Sequence, residues 1–129
     1  MRDAFFSALL DLYREDRRIV FLTADLGYKL FDPLAALDPR RVVNVGIREG
    51  AMVGYAAGLA KTGMTPFIYS ITPFLTVRCL EQIKLDICYN RACVVIVGVG
   101  GGFAYGEDGP SHHGTDDVGL LATLPVAVR

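Results

Sequence analysis

Three stretches of this sequence hold residues whose types and spacing could do chemistry. In the first, Glu49 follows a strand-like VVNV and heads the segment GAMVGYAAG, in which Gly50, Gly54 and Gly58 recur once per helical turn. A carboxylate in a first turn is favoured by the helix dipole and needs no function. The glycines do need a reason, because each costs roughly 1 kcal/mol against alanine inside a helix. A stripe without side chains lets another backbone approach closely and regain in dispersion what propensity loses. Glu49 then stands where a tight, dry contact begins, and there a carboxylate can take part in proton traffic.

The second stretch, GVGGGFAYGEDGPSHHGTDD from Gly98 to Asp117, holds seven of the 14 glycines and both histidines. Loops this long without regular structure are usually functional. It begins where an apolar strand ends, the edge at which open α/β sheets bind ligands. A phosphate-binding loop is excluded by the lack of a lysine and of a suitable following helix. His112, His113, Asp116 and Asp117 are metal ligands by type only: adjacent histidines diverge, and Thr115 with the two aspartates reads as a helix cap and first turn. No metal site is assigned. The third stretch, TPFLTVRCLEQI, places Pro73 in a first helical turn. Phe74, Val77, Leu80 and Ile83 follow on one face, and Phe74, at the strand-to-helix junction, is the member able to reach a ligand.

These stretches need a scaffold, and the hydrophobic periods supply one. Ala4, Phe5, Ala8, Leu9 and Leu12 predict an amphipathic helix over residues 3–15, and 18–23 a buried strand. A turn-rich segment over 25–39 precedes a strand at 41–45, the glycine-striped helix at 48–62, a strand at 65–70 and a long helix at 73–89. The run ACVVIVG at 92–98 lacks alternation, as expected of a central strand buried on both faces. A short helix at 116–123 and a strand at 126–128 complete the reading. Alternating strands and helices specify an α/β fold with a mostly parallel sheet flanked by helices. Residues 1–129 are read as a single domain that is short at its C-terminus.

Composition narrows the function classes. Thirteen Lys and Arg balance 14 Asp and Glu, and no basic run exceeds a pair, so nothing resembles a nucleic-acid footprint. Cys79, Cys88 and Cys93, an odd number without CxxC spacing, read as reduced core cysteines. With neither a signal peptide nor a spanning segment in view, the expectation is a cytoplasmic protein with no membrane partner.

Taken in order, four segments resemble the pyrimidine-binding domain of the transketolase family, thiamine-diphosphate enzymes that include deoxyxylulose-phosphate synthase. They are TADLG at 23–27, NVGIREGAM with AAGLA at 44–60, Phe74-Leu75, and GEDGPSHH at 106–113. The resemblance covers essentially the whole chain, and it implies the thiamine-diphosphate-binding fold of the pyrimidine-domain type. It implies that Glu49 hydrogen-bonds the aminopyrimidine nitrogen opposite the exocyclic amine, favouring the tautomer that deprotonates the thiazolium C2. Phe74 is implied to stack on the ring, with Ile47 and Asp25 beside the cofactor. Asp108 and His112 are implied to face a sugar substrate, His112 with a catalytic role.

Two departures qualify what the resemblance implies. The stretch Gly100–Ala104 has no histidine where transketolases proper carry one for substrate, so the sugar is open. The family's GDG signature, which marks the domain holding diphosphate and Mg²⁺, is absent, as is the family's C-terminal domain. The expectation is therefore the pyrimidine-binding component of a split enzyme that moves a two-carbon ketol unit. Its partner chain, a diphosphate-binding subunit, holds Mg²⁺ and shares the thiamine diphosphate, and the Gly50/Gly54/Gly58 helix forms a dimer or tetramer interface. The alternatives are a synthase of the deoxyxylulose-phosphate type, an acyl-transferring relative, and a non-catalytic assembly module that keeps the fold.

Overall fold

A computed structural model describes residues 1–128. Its elements are α1 (Arg2–Glu15), β1 (Ile19–Thr23), α2 (Asp32–Leu37), β2 (Val42–Asn44), α3 (Glu49–Lys61), β3 (Thr65–Ile71), α4 (Thr72–Leu75), α5 (Leu80–Gln82), β4 (Val95–Val99) and α6 (Asp117–Leu121). Four parallel strands lie in the order β2-β1-β3-β4. The predicted α/β class and parallel sheet are what the chain adopts.

Alternation along β1 builds the two cores. Ile19 and Phe21 face α1 and α2, where Phe6, Leu9, Tyr13 and Leu34 pack with Tyr69. Val20 and Leu22 face α3 and the α4–α5 segment, where Met52, Val53, Ala56, Ile68, Leu75, Cys79 and Ile83 pack. Being covered on both faces, β1 is buried at every position, which is why it reads as the unbroken run IVFLT.

Several expectations are corrected. The ACVVIVG run forms β4, but β4 is an edge strand, partly exposed along its length, and β1 and β3 are central. A continuous apolar run reports covered faces or a covered edge without saying which chain segment does the covering. Among the described residues, 126–128 form no strand, and Arg129 lies outside them. The turn-rich segment contains α2, started by Pro33 in its first turn. Cys93 is exposed rather than core, while Cys79 is buried and Cys88 half-buried.

The predicted helix over 73–89 is also not one helix. A turn over 76–79 separates α4 from α5, and Ile83–Tyr89 winds as a π-helix. Thr76 Oγ1 donates back to the Thr72 carbonyl at 2.9 Å, and the Arg78 amide reaches Pro73 O at 3.1 Å, one residue beyond α spacing. Such back-bonding bends helices, and widened turns cluster at functional sites.

Arg41, half of the basic pair Arg40-Arg41, is 8% exposed. Its guanidinium stacks on Tyr13 at 3.6 Å and donates to the carbonyls of Tyr13, Asp16 and Ile19 and to Asp38. Hydrogen bonds from Arg40, with a further one from Arg41, hold the Asp38 carboxyl down at about 2. A depressed carboxyl contributes stability above its unfolded value near 4 and loses it as pH falls toward about 2. Asp38→Asn is expected to lower stability at neutral pH and to flatten the acid-side decline between about pH 4 and 2. Urea melts over that range check it; an unchanged slope would assign the acid loss elsewhere.

Candidate functional site

Because all four strands are parallel, their C-terminal ends share one edge, and the segments singled out by sequence leave from it. Asp25 follows β1, Ile47 and Glu49 follow β2, Phe74 follows β3, and the glycine-rich loop follows β4. The chain adds β2 on one side of β1 and then crosses to place β3 on the other. That reversal opens the crevice where open α/β sheets bind ligands.

Glu49 is the first residue of α3 and is 3% exposed. Ser70, at the end of β3, donates to Glu49 Oε1 at 3.3 Å, and Arg78 Nη1 donates to Oε2 at 2.9 Å. A carboxylate this buried needs such partners, since an unpaired buried charge is strongly destabilising. Arg78 also lies over the ring of Phe74, its guanidinium carbon 4.1 Å from the centroid. Phe74 and His112 meet in a T-shaped arrangement, with ring centroids 4.9 Å apart at 69°. Cys79 Sγ donates to Phe74 O at 3.1 Å, and burial, reinforced by Glu49, pushes that thiol up to about 11, so it remains a donor. Glu49, Phe74 and His112, three predicted site residues, thus form one connected set, joined by Arg78.

The loop is shaped around this set. Gly102 and Gly114 pair as an antiparallel bridge that closes it. Gly100, at φ +77, lies under Tyr105, where a Cβ would sit 2.0 Å from the ring. His112 rests against Ser111 Oγ at 3.0 Å through Nδ1. Asp108 ends a short 3₁₀ turn (Gly106–Asp108) and is exposed, making no side-chain hydrogen bond among the described residues.

Asp25 belongs to a second cluster. It adopts the left-handed φ of +58, uncommon outside glycine, asparagine and aspartate. Asn44 holds it there, accepting from the Asp25 amide at 3.0 Å and donating to Oδ1 at 3.0 Å, while also accepting from Gly46 N at 2.9 Å. The Tyr28 hydroxyl donates to the same carboxylate, and it, followed by Asn44, lowers the Asp25 carboxyl below its usual range. Asn44 thereby ties the end of β1 to the turn that launches α3. Ile47, 74% exposed, stands on that turn and presents an apolar side chain beside the crevice.

The glycine stripe has its nearest neighbours inside the chain at two positions. A Cβ on Gly50 would meet Gln82 at 3.9 Å and one on Gly54 would meet Asp86 at 3.8 Å, whereas Gly58 is open. Sequence reasoning passes over Arg78, Ser70 and Asn44. Arg78 is not recoverable from helical period, since it stands on the turn over 76–79 and not on one helix with Phe74.

Sheet, crossover helices and a buried carboxylate joined through Arg78 to an aromatic ring at the strand ends make an α/β domain with a polar-aromatic cluster at its crevice. Residues 1–128 match the family described as transketolase, pyrimidine binding domain, and the chain belongs to that family. It is 40% identical over 125 residues to an apulose-4-phosphate transketolase subunit of Phocaeicola vulgatus, covering 96% of this chain and 40% of that protein. It is 38% identical over 125 residues to the 1-deoxy-D-xylulose-5-phosphate synthase of Heliobacterium modesticaldum, covering 96% of this chain and 19% of the synthase. A solved structure described as a split gene transketolase, inactive beta4 tetramer, superposes with a TM-score of 0.81 at 35% identity, over 96% of this chain and 40% of that one. The chain thus spans less than half the length of these relatives. No helix among the described residues is long and apolar enough to cross a membrane.

Proposed function

We propose that this chain is the pyrimidine-binding part of a split transketolase-like enzyme that transfers a two-carbon ketol unit between sugar phosphates or related substrates, in the cytoplasm. Thiamine diphosphate supplies the carbon nucleophile when bound, and a partner chain holds its diphosphate and Mg²⁺. The observation that carries this reading is the pairing of buried Glu49 with a planar, nitrogen-rich cation stacked on Phe74. That arrangement fits an aminopyrimidine ring, which is also flat and nitrogen-bearing: Glu49 is the acceptor for its ring nitrogen and Phe74 the stacking surface. Ile47 and Asp25 flank the ring, and Asp108 and His112 present polar groups to the sugar. The names of the apulose-4-phosphate transketolase relative, itself a subunit, and of the split-gene structure favour a multi-chain enzyme. The test is ketol transfer by this chain mixed with a GDG-bearing partner, dependent on thiamine diphosphate and absent from either chain alone.

The outer face of α3, with Tyr55 half exposed and Gly58 open, is offered to a neighbouring chain. Gly58→Leu separates folding from assembly. In the chain alone it replaces a poor helix former at an open position and should raise stability by about 0.5–1 kcal/mol. In the assembly the same side chain overpacks the contact, at a cost of roughly 1–3 kcal/mol. Thermal melts and sedimentation read the two effects; a variant that assembles as well as the wild type removes Gly58 from the interface.

A further inference from the structure

Every polar requirement of Glu49 is met inside this chain. One oxygen takes Ser70 and the other takes Arg78, and the carboxylate is buried, so a ring nitrogen arriving at Glu49 meets the Arg78 guanidinium in its way. Phe74 is covered likewise: its ring meets His112 in a T-shaped contact and carries the Arg78 guanidinium on a face. The same group thus occupies both the acceptor and the stacking surface. A guanidinium and an aminopyrimidine protonated at its ring nitrogen share the properties that matter here, being planar, π-delocalised and able to offer an N–H to a carboxylate.

We propose that Arg78 is a built-in stand-in for the aminopyrimidine ring, seated on Glu49 and Phe74 in the unloaded chain and displaced outward when the cofactor binds. The inference rests on the cofactor reading above and adds to it a residue that must leave. Burial decides which member of the set moves. Glu49 is 3% exposed at its side chain and Arg78 49%. Phe74 is held by Cys79 Sγ at its carbonyl and by His112 against its ring, whereas the Arg78 guanidinium makes a single hydrogen bond among the described residues. Arg78 stands on the irregular turn over 76–79, outside regular helix. Leaving therefore breaks one hydrogen bond and one stacking contact and returns a well-solvated cation to water.

The exchange also has a purpose. A buried carboxylate without a partner is strongly destabilising, so a chain that gave Glu49 no cation would be poorly folded until loaded. With Arg78 in place, the carboxylate is paired before loading, and the incoming ring, protonated at the nitrogen that meets Glu49, replaces one N–H donor with another. The cost appears as apparent affinity: binding is weakened by the fraction of time the seat is open.

The experiment has two arms. In the free chain, carrying ¹⁵N- and ¹³C-labelled arginine, two side chains should show ring-current shifts, Arg41 over Tyr13 and Arg78 over Phe74, and the shift that disappears in Phe74→Leu is that of Arg78. Absence of a shift that depends on Phe74 overturns the proposal whatever binds. In the assembly with the diphosphate-binding partner, calorimetry with thiamine diphosphate compares wild type, Arg78→Ala and Arg78→Gln. The glutamine variant retains an amide donor for Glu49 and so guards against loss of fold. If the seat is filled about nine-tenths of the time, removing Arg78 tightens apparent cofactor affinity roughly tenfold. Equal or weaker binding in both variants means that Arg78 stays and supports Glu49 in the loaded site, which overturns displacement and leaves the cofactor reading intact. Failure of the wild-type assembly to bind the cofactor overturns the reading beneath.

Discussion

Glu49→Gln, in the assembled enzyme, is expected to slow hydrogen–deuterium exchange at the cofactor C2 position by roughly 10²-fold or more, with kcat falling in parallel, the range for lost acid–base catalysis. The fold should survive. Ser70 can donate or accept, so the amide can turn its oxygen to Arg78 and its NH₂ to Ser70, keeping both contacts of the carboxylate at 2.9 and 3.3 Å. What glutamine cannot do is exchange a proton or carry the charge that biases the ring nitrogen toward its protonated form. Glu49→Asp should fail as well, because a side chain one methylene shorter on the same helix start leaves hydrogen-bond range. NMR of C2 exchange isolates this step from sugar binding. Exchange as fast as in wild type would reduce Glu49 to a helix-terminal carboxylate.

The place of Glu49 was legible because it rests on local signals. A strand-like VVNV, a break at Gly46 (φ +72) and a segment of helical period place a carboxylate at the first turn of α3, and the structure puts it there. The run IVFLT announced a buried strand for the same reason: the pattern is a direct consequence of burial. What was not legible depends on partners distant in sequence. Nothing local distinguishes Arg41 from Arg40, yet one is buried under Tyr13 and the other is exposed, because the carbonyls at the end of α1 and the start of β1 lie near only one of them. The apolar run of β4 was read as central because composition records how apolar a strand is and not which side of the sheet holds its neighbour.

The α4–α5 segment shows how a site can hide inside a regular pattern. Its apolar residues keep a helical period, so the sequence predicts one helix, but Thr76 and Cys79 bond back to Thr72 and Phe74 and open the turn between them. That opening places Arg78 against both Glu49 and Phe74. Arg78, which the sequence reading passes over, thereby joins Glu49 and Phe74 in one polar-aromatic cluster through side-chain bonds that periodicity does not see. The glycine stripe makes the complementary point. It predicts a close approach of backbone, whereas a Cβ at Gly50 or Gly54 would meet only the side chains of Gln82 and Asp86 at ordinary contact distances of 3.9 and 3.8 Å, and Gly58 is open among the described residues.

The 129-residue chain by itself is expected to show no measurable affinity for thiamine diphosphate, weaker than about 1 mM, while its assembly with a diphosphate-binding partner binds in the micromolar range, a difference of roughly 10³ or more. The arithmetic follows from what the chain offers. Glu49 gives one hydrogen bond and Phe74 one stacking face, contacts each worth on the order of 1–2 kcal/mol, and these must first offset the translational and rotational cost of association. The strong terms for this ligand are the charges of its diphosphate and of Mg²⁺, and the sequence has no GDG motif to receive them. Arg78 subtracts further, since the ring must displace it from Glu49 and Phe74. Calorimetry on the isolated chain with and without Mg²⁺, then on the mixture, measures both limits. Micromolar, Mg²⁺-dependent binding by this chain alone would overturn the division of the cofactor between two chains, because it would require a diphosphate site built from residues 1–129 and a place for the metal that the Glu49 cluster does not provide.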